Sequence, residues 1–284
     1  MKSLFTGARE TAESTMSEPI ARVARIDLYP IKSLDGIQVS AAVLDERGAF
    51  EHDREFALMD EKDVYVNGKR ERRIHLIRAA FTDDISQVTL NGPGMAELRA
   101  HLTEETARLD EWFSAYFERP VFLRRKSPGG FPDDTDRPGP TIVSRASLDR
   151  VGAWMRAGAD VTLAPEELSR RFRSNIELAD CEAFTEDALL GETLLIGQTT
   201  IHAENPCARC VVPTRDSRTG EQLKAFTKTL TDRRKAELPR TVDPGRFDHF
   251  FRLAINTKVP TGQAGQQVRV GDEVRTEFEF DFKL

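Results

Sequence analysis

The chain has 284 residues, 39% hydrophobic and 31% charged, an ordinary balance for one large folded domain or two smaller ones. A net charge of −6 argues against a nucleic-acid binder, because neutralising phosphates takes a basic surface, although a local basic pocket stays open. No apolar run approaches the roughly 18 to 20 residues that span a bilayer. Three cysteines make no disulfide framework, so a reducing, cytoplasmic setting is expected.

Residues 1 to 18 read as a disordered tail. Arg9 and Glu10 interrupt any signal-peptide apolar stretch, and Glu10, Glu13 and Glu18 do not suit a transit peptide. Organised sequence starts at Ile20, which makes Met16 a candidate natural start. Residues 20 to 90 then read as short strands and turns. ARVARIDLYPI alternates apolar and polar residues up to Pro30. AAVLDERGAF and EFALMDEKDVYVNGK follow, with Asn67-Gly68 as a hairpin signal, and IHLIRAAF and ISQVTLNGPG continue the pattern. Short strands with tight turns predict a barrel or sandwich.

Residues 104 to 118 switch to helical spacing. Leu109, Trp112, Phe113, Tyr116 and Phe117 share one apolar face, read as core, with Thr103 as N-cap and Pro120 as the stop. Residues 126 to 140, KSPGGFPDDTDRPGP, read as a linker or long loop. Its Asp133, Asp134 and Asp136 read as solvated, although such a group also suits a hard cation. Beyond it, TIVS predicts a strand, and ASLDRVGAWMRAG a helix of about three turns. RSNIELAD, ETLLIGQTTIHAENP and CVVPT look like strands; EQLKAFTKTLTDRRKAE has helical composition. FFRLAINTKV and EVRTEFEFDF close the chain as strands. The expected fold is α+β and strand-dominated, with two β-barrel-like domains and a few packed helices. The first domain is expected over 19 to 125, the linker over 126 to 140 and the second domain over 141 to 284.

Pro206-Cys207-Ala208-Arg209-Cys210 is the sharpest local feature. A structural zinc site needs two more clustered ligands, and only Cys181 and five scattered histidines are on offer. A thioredoxin-like pair opens a helix, whereas this one lies between strand-like TTIHAE and VVPT. Two readings remain. Both cysteines are structural, or Cys210 is a reactive thiolate whose charge Arg209 stabilises, suited to a soft or high-valent transition metal.

YPIKSLDG, HDREFALMD, FRSNI, LLIG and NPCARCVVPTRDSRTGE occur in that order. Together they resemble the MOSC family, the molybdenum-cofactor sulfurase C-terminal domain preceded by its N-terminal barrel domain, over roughly residues 20 to 280. The amidoxime-reducing components share this architecture. The resemblance implies a molybdenum cofactor, prone to loss from purified recombinant protein, with Cys210 as the metal ligand. It implies that the pterin phosphate lies against Lys32 and Ser33, and that Arg54, Ser144, Arg173 and Asn175 face the cofactor. A buried phosphate needs such cations and donors on physical grounds too, although each cation singly reads as a solvated surface charge. The implied activity is an oxidoreductase that removes oxygen from a small N-hydroxylated substrate, with Cys210 and Arg209 at its centre. No CxxxxCxxC spacing occurs, so no iron–sulfur cluster is expected, and electrons are expected from a separate electron-transfer protein.

The same thiolate and pocket would serve a sulfur-carrier or cofactor-handling protein using a persulfide on Cys210. A relative that has lost the cofactor is a third reading. Two departures from the family pattern stand out: Ser174 replaces the proline of FRPNI, and the usual DPxTG reads Asp216-Ser217-Arg218-Thr219-Gly220. Asp216 and Gly220 read as turn residues. Residues 221 to 248 look least like the family.

Overall fold

The computed structural model describes residues 18–276. Nearly all of the expected N-terminal tail, and the closing strand beyond Thr276, lie outside them. The first part of the chain supplies β1 (Ala21–Leu28), β2 (Ile37–Val39), β3 (Ala41–Val43) and β4 (Phe56–Met59). It continues with β5 (Arg78–Phe81), β6 (Gln87–Asn91), β7 (Leu98–His101), α1 (Thr106–Phe117) and β8 (Phe122–Arg125). After a long loop come β9 (Ile142–Ser144), α2 (Arg145–Ala159), α3 (Pro165–Phe172) and β10 (Ile176–Ala179). A short α4 (Thr185–Ala188), β11 (Thr193–Ile196), β12 (Thr199–Ala208) and α5 (Phe226–Ala236) follow. The strands β13 (Arg252–Lys258), β14 (Gln267–Arg269) and β15 (Glu273–Thr276) complete the described chain.

Strand-dominated α+β is the fold observed. Seven strands close a barrel in the order β10-β9-β13-β12-β11-β15-β1, sealed by the β1–β10 pairing, with β2 appended to β1. Smaller sheets pair β3 with β14, β4 with β8, and β5, β6 and β7 together. Strand β1 belongs to the first part of the chain, yet it is a stave between β15 and β10 of the last part. Its apolar alternation carries a phase change. Ala21 and Val23 are buried on odd positions, then Ile26 and Leu28 on even ones. A register shift between Val23 and Arg25 inserts the extra residue that keeps both pairs facing the core. Strands β9 and β10 pair in parallel, with α2 and α3 as the crossover between them.

Helix α1 buries the five residues of its apolar face, as its spacing predicts. It begins at Thr106 rather than 104, and Glu105 precedes it without a side-chain cap; Thr103 instead contacts His101. The backbone turns left-handed at Glu118, just before Pro120. Asn67-Gly68 does not make a hairpin. The Asn67 carbonyl accepts from the N–H groups of Arg70 and Glu71, and the chain enters a 3-10 turn over Arg72–Leu76. CVVPT is not a strand either: Val212–Thr214 is a 3-10 turn, because Pro213 has no N–H for a ladder. Among the described residues no helix is long and apolar enough to cross a membrane.

Candidate cofactor cleft

A cleft of about 710 Å³ opens where the turn after β1, the loop before β4 and the 126–140 loop meet the end of α3 and the end of β12. Twelve Lys and Arg residues line it against five Asp, in a chain whose net charge is −6. Cationic charge is therefore concentrated in this one depression, whose walls focus the field on an anion.

Lys32, Ser33, Arg54, Arg173, Asn175, Arg209 and Cys210 all line the cleft. Three of them bend the chain sharply: Ser33, Arg54 and Arg173 have φ of 75°, 52° and 56°. Non-glycine residues hold such left-handed backbone at a cost of about 1–3 kcal/mol each, and such outliers cluster at ligand sites. The Lys32 ammonium is mostly enclosed, donating to the Phe131 carbonyl at 2.8 Å and to Asp133 at 2.7 Å. Burial lowers its pKa, and the Asp133 charge partly restores it. Against desolvation, Lys32 and Arg54 hold the Asp133 carboxyl well below the usual carboxylate range.

Arg54 pairs with Asp53 and donates 3.1 Å to the Arg173 carbonyl. Arg173 donates 2.7 Å to the Leu34 carbonyl. Both guanidiniums lie over the buried ring of Tyr29, at 5.2 Å and 4.1 Å from its centre, so the aromatic face holds two cations side by side. Burial lowers the Arg173 pKa, with Arg54 pushing the same way. An anion between them would relieve both effects. Tyr29 and Asp53 are not among the site residues expected from sequence, although both lie inside the quoted motifs, as the tyrosine of YPIKS and the aspartate of HDREF. Asp133, read from sequence as a solvated loop acid, instead pairs with Lys32.

Cys210 is half-buried just beyond β12, and its sulfur accepts from the Val212 N–H at 3.5 Å. Cys207 lies in β12 and also borders the cleft, but it is buried, and burial raises its thiol pKa. Cys181 lies away from the cleft, its thiol pushed up to about 12 by burial and the Glu186 charge. All three are free thiols. Among the described residues no three His, Cys, Asp or Glu side chains cluster to hold a metal ion, so a zinc site made by protein ligands alone lacks its donors.

Two residues take different places from those expected. Arg209 does not lie free beside the thiol: it donates twice to the Leu253 carbonyl, at 2.8 and 2.6 Å, and once to that of Phe172, at 2.9 Å. It ties the cysteine segment to β13 and the end of α3. Ser144 is fully buried outside the cleft lining, where its hydroxyl caps α2 by accepting from the Ser147 N–H at 3.0 Å. Asn175 does reach the wall, yet its side chain is fully engaged. It donates to the Asp27 carbonyl and accepts from the N–H and hydroxyl of Thr141, all at 3.1 Å, which fixes β1 against the start of β10 beside Arg173.

Do these residues fit an anionic, metal-bearing group? Arg173 Nη2 and Arg171 Nη1 are buried N–H groups without hydrogen-bond partners, both on residues lining the cleft. Donors left unmade inside a protein cost about 1–3 kcal/mol each. A multiply charged ligand would satisfy them, and Cys210 adds one soft donor. The set fits.

Residues 20–119 match the family model described as the MOSC N-terminal beta barrel domain, and residues 140–275 match the MOSC domain. The chain is similar to mitochondrial amidoxime-reducing component 1 of Danio rerio, 25% identical over 73% of this chain and 75% of that protein. Mitochondrial amidoxime reducing component 2 of Bos taurus is 26% identical over 72% of this chain and 69% of its own length. Molybdenum cofactor sulfurase 1 of Aedes aegypti is 24% identical over 74% of this chain, which spans about a third (32%) of that larger protein.

Proposed function

Because this chain belongs to the MOSC family, and because its cation cluster and a half-buried thiol share one cleft, we propose that it is a molybdenum-cofactor-binding oxidoreductase. Its substrates are N-hydroxylated compounds, from which it removes an oxygen atom. The observation that carries this reading is the joint presence of Lys32, Arg54, Arg173 and Cys210 on one wall system, drawn from four distant stretches of sequence.

When bound, the cofactor supplies the two-electron chemistry that takes oxygen from the substrate. The chain's own residues bind and orient. Lys32, Arg54 and Arg173 hold the pterin phosphate, with the Ser33 hydroxyl beside them. The Cys210 thiolate is the protein's sulfur ligand to the metal. Arg209 and Asn175 are positioning residues: they fix the backbone that carries Cys210 and Arg173. The relatives named for amidoxime reduction support the substrate class, and those named as sulfurases support the same cofactor.

Protein loaded with the cofactor should reduce benzamidoxime when given a chemical reductant or a reconstituted electron-transfer chain. It should not do so with NADH alone, since no GxGxxG occurs to bind a dinucleotide. Turnover with NADH alone would reveal a cofactor site missing from this account. Full molybdenum occupancy without turnover from any donor would favour the sulfur-carrier reading, which a labile sulfane sulfur on Cys210 would identify.

A further inference from the structure

Most cations in the cleft are already neutralised. Arg25 pairs with Asp27, Lys32 with Asp133, Arg54 with Asp53, Arg78 with Asp35, Arg137 with Asp134, and Arg170 and Arg171 with Glu167. Among the described residues, Lys69, Arg173, Arg209, Arg215 and Arg218 have no carboxylate partner. Arg173 belongs to the phosphate cluster and Arg209 is tied to carbonyls. Lys69, Arg215 and Arg218 remain; all three line the cleft, and the two arginines lie together on the turn that follows Cys210.

That turn is held rigidly. Asp216 accepts from the N–H groups of Arg218 and Thr219 at 3.0 and 2.8 Å, and Gly220 closes it onto the Asp216 carbonyl at 2.9 Å. Ser217 is fastened by Glu167 through its N–H at 3.0 Å and its hydroxyl at 2.5 Å, while Arg78 and Arg170 reach Ser217 from the other side. Arg215 braces its guanidinium on the Gly220 carbonyl at 3.1 Å, and its Nε–H has no partner. The neighbourhood is electropositive enough to be felt by His75, whose pKa is lowered by burial and by Arg215, Arg173 and Arg78.

We propose that Arg215 and Arg218 bind an anionic group, carboxylate or phosphate, carried by the N-hydroxylated substrate itself. The proposal rests on the reductase reading of the cleft and names its substrate class: acidic rather than neutral N-hydroxylated compounds. One phosphate on the cofactor accounts for one cation cluster; a second pair of arginines lining the same cleft as the thiol calls for a second anion. A guanidinium with a free N–H on a fixed turn is preorganised for bidentate capture of such a group.

The test uses the full chain and three probes: benzamidoxime, its 4-carboxy derivative and its 4-phosphate ester derivative. Binding is measured by calorimetry, which needs no turnover, so failure here is separable from failure of the reductase reading. One or both anionic probes should bind about tenfold tighter than benzamidoxime, the magnitude of one charge-assisted hydrogen bond, and the tighter of the two identifies the group. In the Arg215→Gln/Arg218→Gln double variant the ratio should collapse to within about threefold, with molybdenum content unchanged. Equal binding of all three probes by the unmodified protein would overturn the proposal. So would a molybdenum loss in the double variant as large as that of Lys32→Met, which would move the pair to the cofactor.

Discussion

Arg234 is fully buried, with Nη2 2.6 Å from an equally buried Asp187 and Nε on the Arg252 carbonyl at 3.1 Å. Next to that ion pair sits Glu186, also fully buried. Burial, reinforced by the Asp187 charge, pushes Glu186 up to about 7. The folded protein therefore keeps a proton between about pH 4.5, where the unfolded group titrates, and about 7. Stability from this group is fully present below that window and is lost as pH rises through it. Glu186→Gln should raise Tm at pH 8 and change it little at pH 4.5, as read by thermal melts. A lower Tm at pH 8 would mean the carboxylate is charged and well partnered. None of this was visible in sequence, where Glu186 is one acid in FTEDA. Cys210 and Lys32 were visible because their neighbours complete motifs. Arg209 was visible in the same way but misread as the thiol's companion, since nothing local shows that two backbone carbonyls, from residues 172 and 253, converge on it.

Helices with a long apolar stripe were readable element by element, and α1 is the clear case: its period alone marks the five buried residues. Helix α3 was missed although its ends carry the usual signals, with Pro165 and Glu166–Glu167 at the start and Arg170–Arg171 at the finish. At eight residues it is too short for its stripe to stand out. The pairing of β1 with β10 and β15 was not readable either, because strands separated by some 150 residues or more leave no local signature of their register. Ser144 marks the same divide. Its motif position suggested the cofactor, whereas the fold uses it to start α2. Ser144→Ala should cost about 1 kcal/mol by chemical denaturation and leave the molybdenum content unaltered. A drop in molybdenum without a loss of stability would restore Ser144 to the cofactor pocket.

For the molecule as a whole, the acidic composition and the cationic cleft are two views of one charge distribution. Composition averages over the surface, so a net charge of −6 concealed a concave site with twelve cationic residues around it. Closing the barrel through β1 brings Lys32 and Ser33 within one cleft of Arg173 and Cys210, and this is the sense in which the fold makes the site. The central claim is that this cleft holds a molybdenum cofactor through a single protein thiolate. Molybdenum per polypeptide in Cys181→Ser, Cys207→Ser and Cys210→Ser, each expressed in a cofactor-competent host beside the unmodified chain, tests it most directly. The account predicts near-stoichiometric metal in all but Cys210→Ser, which should lose most of it. No molybdenum in the unmodified chain, or equal losses in Cys207→Ser and Cys210→Ser, would contradict it.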